Sequence, residues 1–92
     1  MIWWKHLYMG DKAAAGRPAI LEGIRRGKRM PGVYVITLPE SGNHILDIRP
    51  VSLLTEKERG DGAFLILGAA LGYGEACQVV RRMVDDMYRA TG

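Results

Sequence analysis

Apolar and polar positions follow two different periods along this chain, and the period changes where the predicted elements change. The clearest pattern comes last. Tyr73, Ala76, Cys77, Val80, Met83, Val84 and Met87 recur at spacings of three and four, which gathers them on one helix face. Glu75, Gln78, Arg81, Arg82, Asp85, Asp86 and Arg89 take the other side. The pattern predicts a helix from about Gly74 to Ala90, ended by Thr91 and Gly92. Arg81/Asp85, Arg82/Asp86 and Asp85/Arg89 are spaced as i,i+4 pairs, each worth a few tenths of a kcal/mol.

Gly32–Pro50 has the period of strands. Val33–Leu38 is rich in β-branched and aromatic residues, Pro39–Asn43 supplies turn chemistry, and Ile45–Ile48 is apolar enough to return. A β-hairpin with a five-residue loop follows. Tyr34, Ile36 and Leu38 face one way, and Val33, Val35 and Thr37 the other. Both faces are largely apolar, so either helices cover both or a partner chain covers one. Leu46 and Ile48 oppose Ile45, Asp47 and Arg49. Pro50 ends the strand, Val51–Leu54 suits a helical turn, and Thr55–Gly62 reads as a charged surface loop. Ala63–Leu67 is the third strand, and Gly68–Gly74 a glycine-rich turn.

The first third is less regular. Residues 1–10 carry Trp3, Trp4 and Tyr8 and read as an aromatic arm or edge strand docked on the body. A helix starts near Pro18, which suits a first turn. Ile20, Leu21 and Ile24 form its apolar face, Gly27 stops it as a C′ residue, and Pro31 prevents its resumption. Gly23 weakens it by up to about 1 kcal/mol relative to Ala, so it depends on packing. Ala13–Ala15 adds a separate turn before it.

These elements predict one α+β domain over residues 1–92. It has two layers: a three-stranded antiparallel sheet, with the arm as a fourth edge strand, flanked by a short N-terminal helix and a long C-terminal helix. Ninety-two residues bury a modest core that oligomerisation would help. The net charge of +3 permits contact with nucleic acid without requiring it. A lone Cys77 excludes an intramolecular disulfide. Lys5 and His6 interrupt the N-terminal apolar stretch, so no signal-peptide core forms. No run reaches the roughly 18 apolar residues of a membrane span. The expected location is the cytoplasm.

Two resemblances bear on these residues. RRGKRMPGVYVITL together with LGYGEACQVVRRMVDDMY resembles short uncharacterised bacterial proteins, from Arg25 onward, to which no activity attaches. The order helix, three strands, helix is similar to the double-stranded-RNA-binding domain. The lysine cluster such domains place at the start of the second helix is absent, and Gly-Tyr-Gly-Glu-Ala-Cys stands there. That likeness implies topology only.

Candidate chemistry is sparse. Arg25, Arg26, Lys28 and Arg29, with Arg17 nearby, make the densest basic cluster, suited to phosphate contact. A solvated helix end, where cations suit the dipole, is the plainer reading. Gly72, Tyr73 and Gly74, between strand and helix, offer backbone amides to an anion. The spacing matches neither phosphate fingerprint, and the charge of Glu75 opposes one. Cys77 lies on the apolar stripe and reads as buried and structural. His6 and His44 form neither a metal set nor a triad with other residues. Asp85 and Asp86, interleaved with arginines, read as surface ion pairs. Arg59, Gly60 and Asp61 spell an adhesion tripeptide in a polar loop, without a secretory signal.

The reading is a non-catalytic domain without a cofactor, engaged in protein interaction or self-association, most simply as a two-fold homodimer through the sheet. Nucleic-acid binding through Arg25–Arg29 is the alternative, and a small-ligand pocket near Gly68–Gly74 a third.

Overall fold

The computed structural model describes residues 1–40 and 45–91. Most of the turn expected at Pro39–Asn43 lies outside the described residues, as do His44 and Gly92. The elements run β1 (Ile2–Met9), α1 (Asp11–Ala15), α2 (Arg17–Arg25), β2 (Val33–Thr37), β3 (Asp47–Pro50), a 3₁₀ turn (Val51–Leu53), α3 (Glu56–Gly60), β4 (Leu65–Leu71) and α4 (Tyr73–Thr91). The class is α+β, with the short N-terminal helical region and the long C-terminal helix flanking the sheet.

The sheet order is β1-β4-β2-β3. The three expected strands pair antiparallel, β2 between β4 and β3, and the arm is a fourth, edge strand that runs parallel to β4, which makes the sheet mixed. Alternation of side chains carries no strand direction, so only the tertiary pairing reveals this. The Met1 ammonium fixes one end of β1 by donating to the carbonyls of Arg59 (3.1 Å) and Asp61. Gly10 N–H fixes the other by donating to Ala69 O at 3.0 Å.

β4 is longer and later than the expected Ala63–Leu67, and absorbs Gly68–Leu71 from the expected turn. The turn shrinks to Gly72, whose φ of +86° demands glycine. β4 also bulges. Ile36 pairs with Gly68 while Thr37 pairs with Ile66, which leaves Leu67 as an extra residue. Leu67 packs toward α4 whereas Ile66 packs on the opposite face. A Cβ on Gly68 would stand 3.2 Å from Tyr8 O and 3.4 Å from Val79 Cγ1. The missing side chain therefore lets both β1 and α4 approach.

The return strand is Asp47–Pro50, shifted from the expected Ile45–Ile48, which leaves Ile45 exposed. The expected charged loop at Thr55–Gly62 instead holds α3. Thr55 caps it: its hydroxyl accepts from Glu58 N at 3.1 Å, and the Glu58 carboxylate accepts from Thr55 N at 3.0 Å. Glu58 also makes a two-pronged pair with Arg49, whose guanidinium lies 5.9 Å from the Phe64 ring centre. That pairing, against some burial, lowers the Glu58 carboxyl to about 2.

Two cores flank the sheet. On one face, Val33, Val35, Ile66 and Ala69 pack with Ala13, Ile20, Ile24 and Val51. On the other, Ile36, Leu67 and Ala70 pack with Ala76, Val79 and Met83 of α4. The chain's own start thus covers the face that the sequence left open to a second subunit, and the need for a partner there disappears.

Candidate functional site

Among the described residues, most of the exposed large apolar side chains gather on the α4 side: Leu38, Ile45, Tyr73, Met87 and Tyr88. α4 has 19 residues, about 28 Å of helix, against seven residues in β4, the strand it chiefly crosses, about 23 Å of strand. Its C-terminal half outruns its support, and every described side chain from Asp85 to Ala90 is exposed. Beneath it opens a cleft of about 340 Å³ between Trp4 and Tyr8 on β1, Met83 and Met87 on α4, and Leu38 and Ile45. Leu38 is 59%, Ile45 64% and Met87 46% exposed.

The β1 wall of this cleft is aromatic and held in place. Trp4 and Tyr8 stack with ring centres 6.0 Å apart and planes 16° from parallel. Their spacing reflects the bulged strand: from Trp3 to Tyr8, β1 advances five residues while β4 advances two. His6 meets Trp4 edge-on at 5.3 Å. The Tyr8 hydroxyl donates to Asp86 Oδ2, which raises the phenol's pKa chiefly through that bond. Arg82 lies over the Tyr8 ring at 5.8 Å and donates to Met9 O at 3.2 Å. The expected Arg82/Asp86 pair is thus replaced by a clasp in which both hold Tyr8. Chemically the cleft offers apolar contact, aromatic faces and adaptable methionines.

No family model, curated protein or solved structure matches this chain.

Arg17, Arg25, Arg26, Lys28 and Arg29 are all exposed. Arg26 pairs with Glu22 at 2.7 Å. Arg17 opens α2 and stands about 12 Å along the axis from Arg25. Trp3 shares a depression with Pro18, Leu21, Glu22 and Arg25. Arg59, absent from the expected cluster, closes the end of α2 by donating to Ile24 O at 2.8 Å and to Val51 O at 3.1 Å.

At Gly72, Tyr73 and Gly74, the predicted anion site, the Gly72 N–H donates to Gly32 O at 2.6 Å, and the neighbouring Glu75 serves amides outside Gly72–Gly74. The Glu75 carboxylate accepts from Lys12 N at 2.6 Å, Ala13 N at 3.3 Å and Leu71 N at 2.6 Å. Burial pushes its pKa up, the three amides pull it down further, and the net shift is downward. The amides that Glu75 satisfies are thus those that open α1 and that of Leu71.

Cys77 is exposed rather than buried. The helix seats Ala76, Val79 and Met83 on the sheet, and Val80 and Val84 are only half-buried. Val79, outside the expected stripe, is the residue that the periodicity missed. Among the described residues, no three His, Cys, Asp or Glu side chains are grouped to hold a metal. Among those residues, too, no helix is long and apolar enough to cross a membrane.

Proposed function

We propose that this chain is a non-catalytic interaction domain, and that the open side of α4 with its cleft is the docking surface for protein, a second copy included. The observation that carries the reading is the ring of exposed Leu38, Ile45 and Met87 around an aromatic-walled groove. It differs from the sheet-mediated pairing expected from sequence, because the sheet faces are occupied. The absence of catalysis is part of the reading. It is supported by the dispersal of His6, Cys77 and Asp85 over separate or outward positions. An exposed thiol at Cys77 suits a reducing compartment, and with it the cytoplasm.

The test joins dye binding to sedimentation. The folded parent is expected either to light anilinonaphthalene sulfonate as a monomer or to sediment as a larger species. Ile45→Glu is expected to abolish the signal without changing thermal unfolding. A parent that stays monomeric and leaves the dye dark overturns the proposal.

The depression that sets Trp3 beside Arg25 favours a second reading, nucleic-acid binding. It sets the half-buried Trp3 ring beside one exposed cation, with Glu22 on the same wall, and single-strand binders likewise combine rings with cations. Titration with a single-stranded oligonucleotide is expected to show affinity that falls steeply with salt. It is also expected to weaken when Arg25, Arg26, Lys28 and Arg29 become Gln. Silence at low salt removes this reading.

A further inference from the structure

A second cavity, of about 220 Å³, lies at the seam between α1 and α4. The buried Gly10 and Val79 and the half-buried Glu75 line it together with the exposed Asp11, Gln78 and Arg82. It is polar where the cleft beneath the far half of α4 is apolar. Arg82 lines this cavity and Tyr8 lines the cleft, so the contact between them divides the two.

Two charges of opposite sign stand on its rim without meeting. Arg82 and Asp11 form no ion pair. Arg82 is drawn toward β1, where it donates to Met9 O at 3.2 Å and lies 5.8 Å from the Tyr8 ring centre. Asp11 opens α1, and the backbone before it is fixed by the Gly10 N–H bond to Ala69 O at 3.0 Å. A guanidinium has five N–H donors, and Arg82 uses one of them. Among the described residues, the Asp11 carboxylate and the Gln78 side-chain amide have no partner. The two other carboxylates nearby are engaged. Glu75 accepts from three backbone amides, and Asp86 from the Tyr8 hydroxyl.

We propose that this cavity binds a small zwitterion, of the class of a free α-amino acid with a short side chain, its carboxylate on Arg82 and its ammonium on Asp11. The site is independent of the docking cleft, since no residue lines both.

Charge selects the class. A simple anion at Arg82 also meets the carboxylates of Asp11 and Glu75, and a simple cation at Asp11 also meets the guanidinium of Arg82. One small molecule carrying both signs answers both walls through charge-assisted hydrogen bonds. Gln78 can then donate to its carboxylate or accept from its ammonium. Size selects the member. Pockets for drug-sized ligands begin at roughly 300 Å³. At about 30 Å³ for each water, this cavity has room for roughly seven waters, or for a molecule of about that many non-hydrogen atoms. Free alanine and serine are of that size. Val79 supplies the apolar contact for a methyl group.

The experiment titrates the full chain with free alanine, read by the NMR signals of the Gly10 and Val79 amides and of the Gln78 side-chain amide. Saturable shifts are expected, with a dissociation constant in the millimolar range. Ethylamine and acetate, which carry one charge each, are expected to bind at least about tenfold more weakly. Asp11→Asn, at an exposed side chain without a partner, is expected to weaken alanine roughly tenfold with unchanged circular dichroism. Arg82→Gln is expected to weaken it similarly. Ile45→Glu is expected to leave the titration as it is in the parent. Signals that stay in place at tens of millimolar alanine overturn the site. So does acetate or ethylamine that matches alanine, or an Asp11→Asn chain that binds as tightly as the parent. A parent that binds alanine in an Asp11-dependent manner, yet stays monomeric and leaves the dye dark, keeps this site and loses the docking cleft. The reverse result sinks this site alone.

Discussion

The two faces of the sheet are covered in different ways. Several short pieces seal one: α1, α2 and the 3₁₀ turn bring Ala13, Ile24 and Val51 to full burial. A single long helix crosses the other, buries Ala76, Val79 and Met83, and leaves Met87 and Tyr88 46% and 75% exposed. Short elements can each tilt to follow a twisted sheet. A straight rod touches such a surface over a limited length, and the remainder stands clear of it. The open region of this protein is therefore a consequence of element length rather than of composition.

The sharpest way to break that comparison is a cavity on the sealed side. Ile24→Ala on the sealed face is expected to cost about 3–4 kcal/mol, read from the urea midpoint, since Ile24 is fully buried. A loss no larger than that of a surface change would show that this face is not sealed.

Next comes the ionic rim of the same face. Glu58→Gln is expected to cost about 2 kcal/mol at neutral pH, since it leaves Arg49 without its two-pronged partner. The Glu58 carboxyl is depressed from 4.5 to about 2 in the folded chain. Its contribution is therefore complete above pH ~4.5 and is lost as pH falls toward ~2. Acid titration of stability should flatten in that window in the variant, and an unchanged acid slope would contradict the assignment.

Gly10→Ala probes the seam where α1 and α4 meet. An added Cβ would come within 2.3 Å of Glu75 Cδ, a side chain already committed to three amides. The expected cost is about 1–2 kcal/mol by thermal unfolding. No cost would mean that Glu75 is not fixed there.

The smallest effect belongs to the open side. Leu38→Ser, at a residue 59% exposed, is expected to change stability by less than about 0.5 kcal/mol while reducing dye binding. A larger loss of stability would place Leu38 in a core.

Much of this was legible in the sequence. The helix start at Pro18, its stop at Gly27 and the facing of Val33–Leu38 follow from local rules and are found. α3 was also written locally, in the Thr55 to Glu58 capping box, but no apolar run follows it to draw attention. The position of β4 was obscured because Gly68, Ala69 and Ala70 look like a turn. Their small size serves a strand that two neighbours must approach closely. The cleft had no local signature. Its walls come from β1, α4 and the residues flanking the hairpin turn, and only their convergence makes a site.

By itself the sequence determined that α2 and α4 coil and that β2 extends, because backbone propensity and apolar period act over a few residues. It also determined that α4 has a broad apolar surface. Only the tertiary structure decided which part of that surface the sheet takes, and that β1 lies parallel beside β4. Both depend on how elements distant along the chain fit one another, and a rotation of about 90° about a helix axis leaves every local preference equally satisfied.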